Sequence, residues 1–134
     1  MKTIKNIKIV IERSNDLYSA YSENVTGLYG AGASVSAAKD SILKSIKLLQ
    51  KYNKDNIPSI LKGEYLVVYK FDVESFLNYY KGIFTNAALE RITGINQKQL
   101  QHYASGLKKP RETQVKKIES ALHKLGGELM AVEL

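Results

Sequence analysis

Asn96, Gln97, Lys98, Gln101 and His102 fall within seven consecutive residues, and each carries a group able to read the edge of a nucleobase. Planar amides pair bidentately with adenine and an ammonium donates to guanine, so these five are the candidate base contacts. Around them stand Asn86, Ser105, Lys108, Lys109 and Arg111, donors suited to phosphate oxygens. Residues 85–117 hold seven basic and two acidic side chains, a net +5. Residues 1–70 also total +5, from eleven basic and six acidic residues, but spread over twice the length. The first is a cluster that suits a polyanion; the second reads as a solvated surface.

Side chains of this kind work only when helices hold them. Thr85 is expected to open a helix that buries Ala88, Leu89 and Ile92 and stops at Gly94, because a tight helix–helix turn needs a positive φ. Asn96 then caps the next helix, and Gln99 three residues on has capping-box spacing. With Leu100, Tyr103 and Leu107 facing the core, Asn96, Gln97, Lys98, Gln101, His102 and Ser105 are left outside, at the end a DNA-reading helix offers to the major groove. Any helix has a polar outer face. The Gly94 turn, the cap and the flanking cations are what single this one out. Gly106 and Pro110 punctuate its exit, and Val115, Ile118, Leu122 and Leu125 stripe a last helix that Gly126-Gly127 is expected to close. Residues 129–134 alternate like a strand in need of a partner, for which a two-fold mate is a candidate.

The first half has other periods. Ile7, Ile9 and Ile11 alternate with Lys8, Val10 and Glu12, predicting a strand with one buried face. Residues 13–16 have turn chemistry, residues 17–25 a second strand, and Gly27, Gly30 and Gly32 punctuate a short third. Val35, Ala38, Ile42, Ile46 and Leu49 then stripe a helix capped by Ser34 or Ser36, with Lys39, Asp40, Lys44, Lys47 and Lys51 facing away. It should end near Tyr52, before breakers at residues 53–56 and Pro58. Tyr65, Val67, Tyr69 and Phe71 alternate in a strand apolar enough for the centre of a sheet. From Asp72, a plausible cap, Val73, Phe76, Leu77, Tyr80 and Phe84 begin the helical part. The expected architecture is α+β: a β-β-β-α-β domain over residues 1–71, mainly antiparallel, then an all-α domain over residues 72–134.

Several classes of chemistry drop out. There is no cysteine, hence no disulfide, thiolate site or Cys nucleophile, and two histidines are too few for a His-based metal cluster. No GxGxxG or GxxxxGK[ST] cradle is present. No apolar run approaches the roughly 20 residues of a membrane span, and lysines interrupt any secretory core at the N-terminus, so a cytoplasmic, membrane-free protein is expected. Neither a cofactor nor a metal is expected. Glu12, Asp16, Glu23, Asp40, Asp55 and Glu64 are scattered where Mg²⁺-dependent cleavage would need them converging, which argues against an enzyme. The nine tyrosines read as core packing rather than as a base-stacking platform.

With Leu89, Gly94, Gly106 and Pro110 at their places, residues 85–126 resemble the Cro-repressor (XRE-type) class of helix-turn-helix domains. The resemblance implies that Gln97, Lys98 and His102 approach base edges, Asn86 clasps a phosphate, and Lys108, Lys109 and Arg111 flank the backbone. Glu90 departs from the family, which often has Ala there. Residues 4–50 resemble the N-terminal domain of HicB-family antitoxins through Gly27, Gly32-Ala33-Ser34, Ala38, Ile42 and Ile46. That likeness implies a partly RNase-H-like fold capping a small, basic, mRNA-cleaving HicA-like toxin. Because this half is basic too, such a contact would have to rely on shape, apolar area and locally placed acids, with Glu12, Asp16 and Glu23 as the expected toxin contacts. The expected function is then a dimeric or higher-order antitoxin and autorepressor on double-stranded operator DNA. The alternative is a stand-alone regulator whose first domain senses a ligand or mediates assembly; a nuclease is the third reading.

Overall fold

The computed structural model describes residues 4–52 and 56–134, and the chain divides into two compact units, Met1–Ser75 and Phe76–Leu134. The architecture is α+β. In the first unit, strands β1 (Lys5–Arg13), β2 (Tyr18–Ser22), β3 (Tyr29–Gly32) and β4 (Tyr65–Phe71) form one mixed sheet in the order β3-β2-β1-β4. The first three pair antiparallel, whereas β4 runs parallel to β1 after the crossover through α1 (Val35–Tyr52).

The core lies between one sheet face and α1. Ile7, Ile9, Ile11 and Ala20 meet Val35, Ala38, Ile42 and Ile46, each at most 3% exposed. Each isoleucine or valine side chain so buried contributes about 1.5–3 kcal/mol. The helix sits tightly on β3 because Gly30 and Gly32 have no side chains. A Cβ on Gly30 would lie 2.6 Å from the Ile42 nitrogen, and one on Gly32 would lie 2.5 Å from the Ala37 Cβ. Ser34 rather than Ser36 caps α1, its hydroxyl accepting from the Ala37 N–H at 3.0 Å.

Four features of this unit differ from the sequence expectation. β4 is an edge strand, with Leu66 and Val68 exposed on the face away from α1, because β1 takes the central place between it and β2. The second strand is confined to Tyr18–Ser22. Leu17 belongs to the hairpin turn, where its carbonyl accepts from the Ser14 N–H at 2.8 Å. At the other end, Asn24 stands in for further strand, accepting from the Lys8 N–H at 3.0 Å and donating to the Asn6 carbonyl at 2.7 Å. Val25 is therefore buried from a loop. Lys39 does not face away: its ammonium lies 4.3 Å from the Tyr69 ring centre and 5.6 Å from that of Phe71, a cation–π placement across the core's edge. Tyr29 and Tyr52 are exposed rather than packed inside. The breakers expected at residues 53–55 lie outside the described residues.

The boundary between the units falls within α2 (Val73–Tyr79), whose start is capped by Asp72 accepting from the Ser75 N–H at 3.3 Å. A 3-10 turn, Tyr80–Gly82, tightens the chain after it. Then come α3 (Asn86–Thr93), α4 (Gln97–Ala104) and α5 (Glu112–Met130). The last departs from expectation, for Gly126 and Gly127 do not close it. Neither takes a positive φ, the backbone state a terminating glycine needs, and the helix runs on to Met130. Residues 129–134 consequently form no strand, and Leu129, Met130, Val132 and Leu134 are exposed.

Candidate nucleic-acid interface

Two eight-residue helices, α3 and α4, meet through a three-residue turn, and local chemistry accounts for each end. Thr85 opens α3 by accepting from the Ala88 N–H at 3.0 Å. Gly94 closes it in the left-handed region, φ 75°, its N–H donating to the Glu90 carbonyl at 2.7 Å. Asn96 opens α4, its side-chain oxygen accepting from the Lys98 N–H at 2.8 Å. Gln99 does not complete a capping box. Its amide donates instead to the Tyr103 hydroxyl at 2.9 Å, one turn along the same helix, which satisfies the polar end of a buried ring.

Two residues that sequence reasoning passed over anchor the turn. Thr93 is 5% exposed, and its hydroxyl donates to the Leu89 carbonyl at 2.6 Å while accepting from the Ile95 N–H at 3.1 Å. Ile95 itself is 3% exposed, so the turn is pinned by an apolar side chain as well as by glycine. A Thr four residues after a buried Leu, at a helix end, is the signal that could have found this back-bond.

The packing fixes what α4 turns outward. Leu100 and Tyr103 are 0% and 2% exposed, while Asn96, Gln97, Lys98 and Gln101 are all exposed. Asn86, at the start of α3, donates its side-chain amide to the Gln101 oxygen at 3.1 Å. An expected phosphate contact and an expected base contact are thus joined. His102 is half-buried with its Nδ1 shut off from solvent and unpartnered, which leaves only the Nε2 edge for a contact outward. Ser105 ends the helix, its hydroxyl donating to the His102 carbonyl at 3.2 Å.

Beyond α4 the chain reverses at Gly106, φ 79°, and helical spacing stops there. Leu107, expected in the core, is 69% exposed for that reason. Lys108, Lys109 and Arg111 follow in the same exposed segment, and the Lys108 N–H returns to the His102 carbonyl at 3.2 Å, keeping it close to the end of α4. Lys116 pairs with Glu112 at 3.4 Å along α5, an exposed contact worth about 0.3–0.5 kcal/mol.

The three acids expected to meet a protein partner lie in the first unit. Glu12 accepts from the Tyr21 hydroxyl at 3.1 Å, and that hydrogen bond, with desolvation and the charges of Glu12 and Glu23, holds the Tyr21 phenol above its ordinary pKa. Both carboxylates therefore flank one ring, and Glu23 also sits 3.6 Å from the Lys70 ammonium. Asp16 stands apart, exposed in the β1–β2 hairpin turn. Among the described residues no three His, Cys, Asp or Glu side chains are grouped to hold a metal ion, and no helix is long and apolar enough to cross a membrane. The chain matches no protein-family model, no curated protein and no solved structure.

Proposed function

We propose that this protein binds duplex DNA through α4, acting as the recognition helix of a Cro-repressor-like helix-turn-helix, and that it is the antitoxin of a toxin–antitoxin pair repressing its own operon. One observation carries the DNA reading. α4 is held by Leu100 and Tyr103 so that Asn96, Gln97, Lys98 and Gln101 stand exposed together, with Lys108, Lys109 and Arg111 in the segment that follows. Amides and an ammonium on one helix end suit base edges, and three cations beside it suit the phosphates that fix its register. The antitoxin part rests on the resemblance of the first half to HicB antitoxins, whose partly RNase-H-like domain accords with the β-β-β-α-β order seen here. A basic toxin would meet Glu12 and Glu23 around Tyr21, with Asp16 nearer the hairpin tip. The protein acts by covering that toxin and does no catalysis itself.

Footprinting on the DNA upstream of the protein's own gene tests the first part. Protected half-sites with centres about 34 Å apart, one helical turn, are expected from a pair of α4 helices. Absence of protection there, together with no enriched sequence from a random duplex library, would remove DNA binding. Co-expression with a small adjacent reading frame tests the second part. Stable co-purification and relief of toxicity are expected, and a chain that footprints DNA without any toxic neighbour is a stand-alone regulator instead.

A further inference from the structure

We propose that β4 is a self-pairing edge, through which two copies of this chain join their sheets antiparallel across a two-fold axis at Val67. The inference does not rest on the DNA or antitoxin readings. β4 pairs with β1 on one side, and among the described residues no strand pairs with the other. Protein sheets blunt their free edges with shortness, charge, proline or a bulge. The opposite edge obeys this rule: β3 has four residues, two of them glycine. β4 does not. It has seven residues, YLVVYKF, in unbroken register with β1, with Lys70 as its one charge and no proline. Leu66 and Val68 lie 57% and 43% exposed on the face away from α1.

Self-complementarity identifies the occupant as a second copy. Strands related by a two-fold axis keep their faces, so the axis must pass through a residue position. An axis at Leu66 would overlap only Tyr65–Val67 of the two strands, because Lys62 before them is helical rather than extended, and one at Val68 would oppose Glu64 to the partner's Asp72, a like-charge pair. The axis at Val67 opposes Glu64 to the partner's Lys70, Tyr65 to the partner's Tyr69, and Leu66 to the partner's Val68. Lys70, already 3.6 Å from Glu23 of its own chain, gains a second carboxylate at each end, aromatic meets aromatic, and the exposed aliphatics cover each other, the cross-strand pairings that stabilise antiparallel sheets. Both α1 helices then lie on the same side of an eight-stranded sheet.

The chain has no cysteine, so one introduced thiol reports on the axis. In the full chain, Val67→Cys sets two thiols on residues directly opposed, with Cα atoms about 4.5–5.5 Å apart, inside disulfide range. Tyr65→Cys sets them roughly four residues out of register, about 13 Å. Under mild oxidant the first variant should run as a covalent dimer and the second should not. By light scattering, Glu64→Lys should halve the mass of the assembly, and Glu64→Lys combined with Lys70→Glu should restore it. Failure of folded Val67→Cys to link, equal linking by Tyr65→Cys, or a mass indifferent to Glu64→Lys would overturn the proposal. Circular dichroism on each variant separates a lost interface from a lost fold.

Discussion

Asn86 on α3 donates its amide hydrogen to the side-chain oxygen of Gln101 on α4 across 3.1 Å, so the outward face of α4 is braced from the start of the preceding helix. With its oxygen engaged, Gln101 keeps its own N–H₂ free to donate, the role that suits an acceptor such as a purine N7. A double-mutant cycle of Asn86→Ala and Gln101→Ala on specific DNA affinity should give a coupling of about 0.5–1.5 kcal/mol. Strict additivity of the two substitutions would mean that the brace does not serve binding.

Base and phosphate contacts should separate in salt titrations. Gln97→Ala is expected to weaken specific binding by about 1–3 kcal/mol while leaving nonspecific binding nearly unchanged. Replacing Lys108 and Lys109 with Ala should instead weaken both and flatten log K against log salt by about 0.9 per lost phosphate contact. An unchanged slope would take both lysines off the DNA backbone.

The tight seat of α1 on β3 sets a third expectation. Gly32→Ala puts a methyl where the Ala37 Cβ already lies, and must push the helix off the sheet. Unfolding in urea should show a loss of about 1–3 kcal/mol, the usual range for overpacking. Gly63→Ala, with nothing within 4 Å of the added carbon, is the matched control and should change far less. Equal midpoints for the two would show that the helix yields freely.

Tyr21 supplies the pH dependence. Its folded pKa is raised above the ordinary 10.0, chiefly by the hydrogen bond to Glu12. A raised value favours the neutral phenol in the folded state, so its contribution is complete below the unfolded pKa and disappears as the pH climbs through the folded one. Glu12→Ala removes both the acceptor and the charge and should bring the Tyr21 titration, followed by ring-carbon NMR, back toward 10.0. Superimposable curves for the two proteins would contradict the contact.

How much of this was legible in the sequence depended on range. The caps and turn of the candidate interface are decided within four residues, by a hydroxyl, an amide and a glycine, and Thr85, Gly94 and Asn96 stand where local rules put them. The inward position of Leu100 and Tyr103 followed from helical spacing inside one element. Leu107 did not, because spacing carries no meaning past the reversal at Gly106. The place of β4 was beyond reach for another reason. Alternation of Tyr65, Val67, Tyr69 and Phe71 reports a half-buried strand but not how many neighbours it has. Lys39 looked solvated because lysines on helices usually are; only the fold brings Tyr69 and Phe71 beneath its ammonium.

Gly126 and Gly127, accommodated within α5 instead of ending it, leave that helix unevenly robust along its length. Each costs about 0.8–1.0 kcal/mol relative to alanine at an interior helical site. Ile118, buried against its surroundings, secures the proximal turns, whereas the exposed Leu129 and Met130 offer the distal ones no comparable anchorage. The final turns should therefore exchange their amide hydrogens faster than the proximal ones, fraying from the distal end inward.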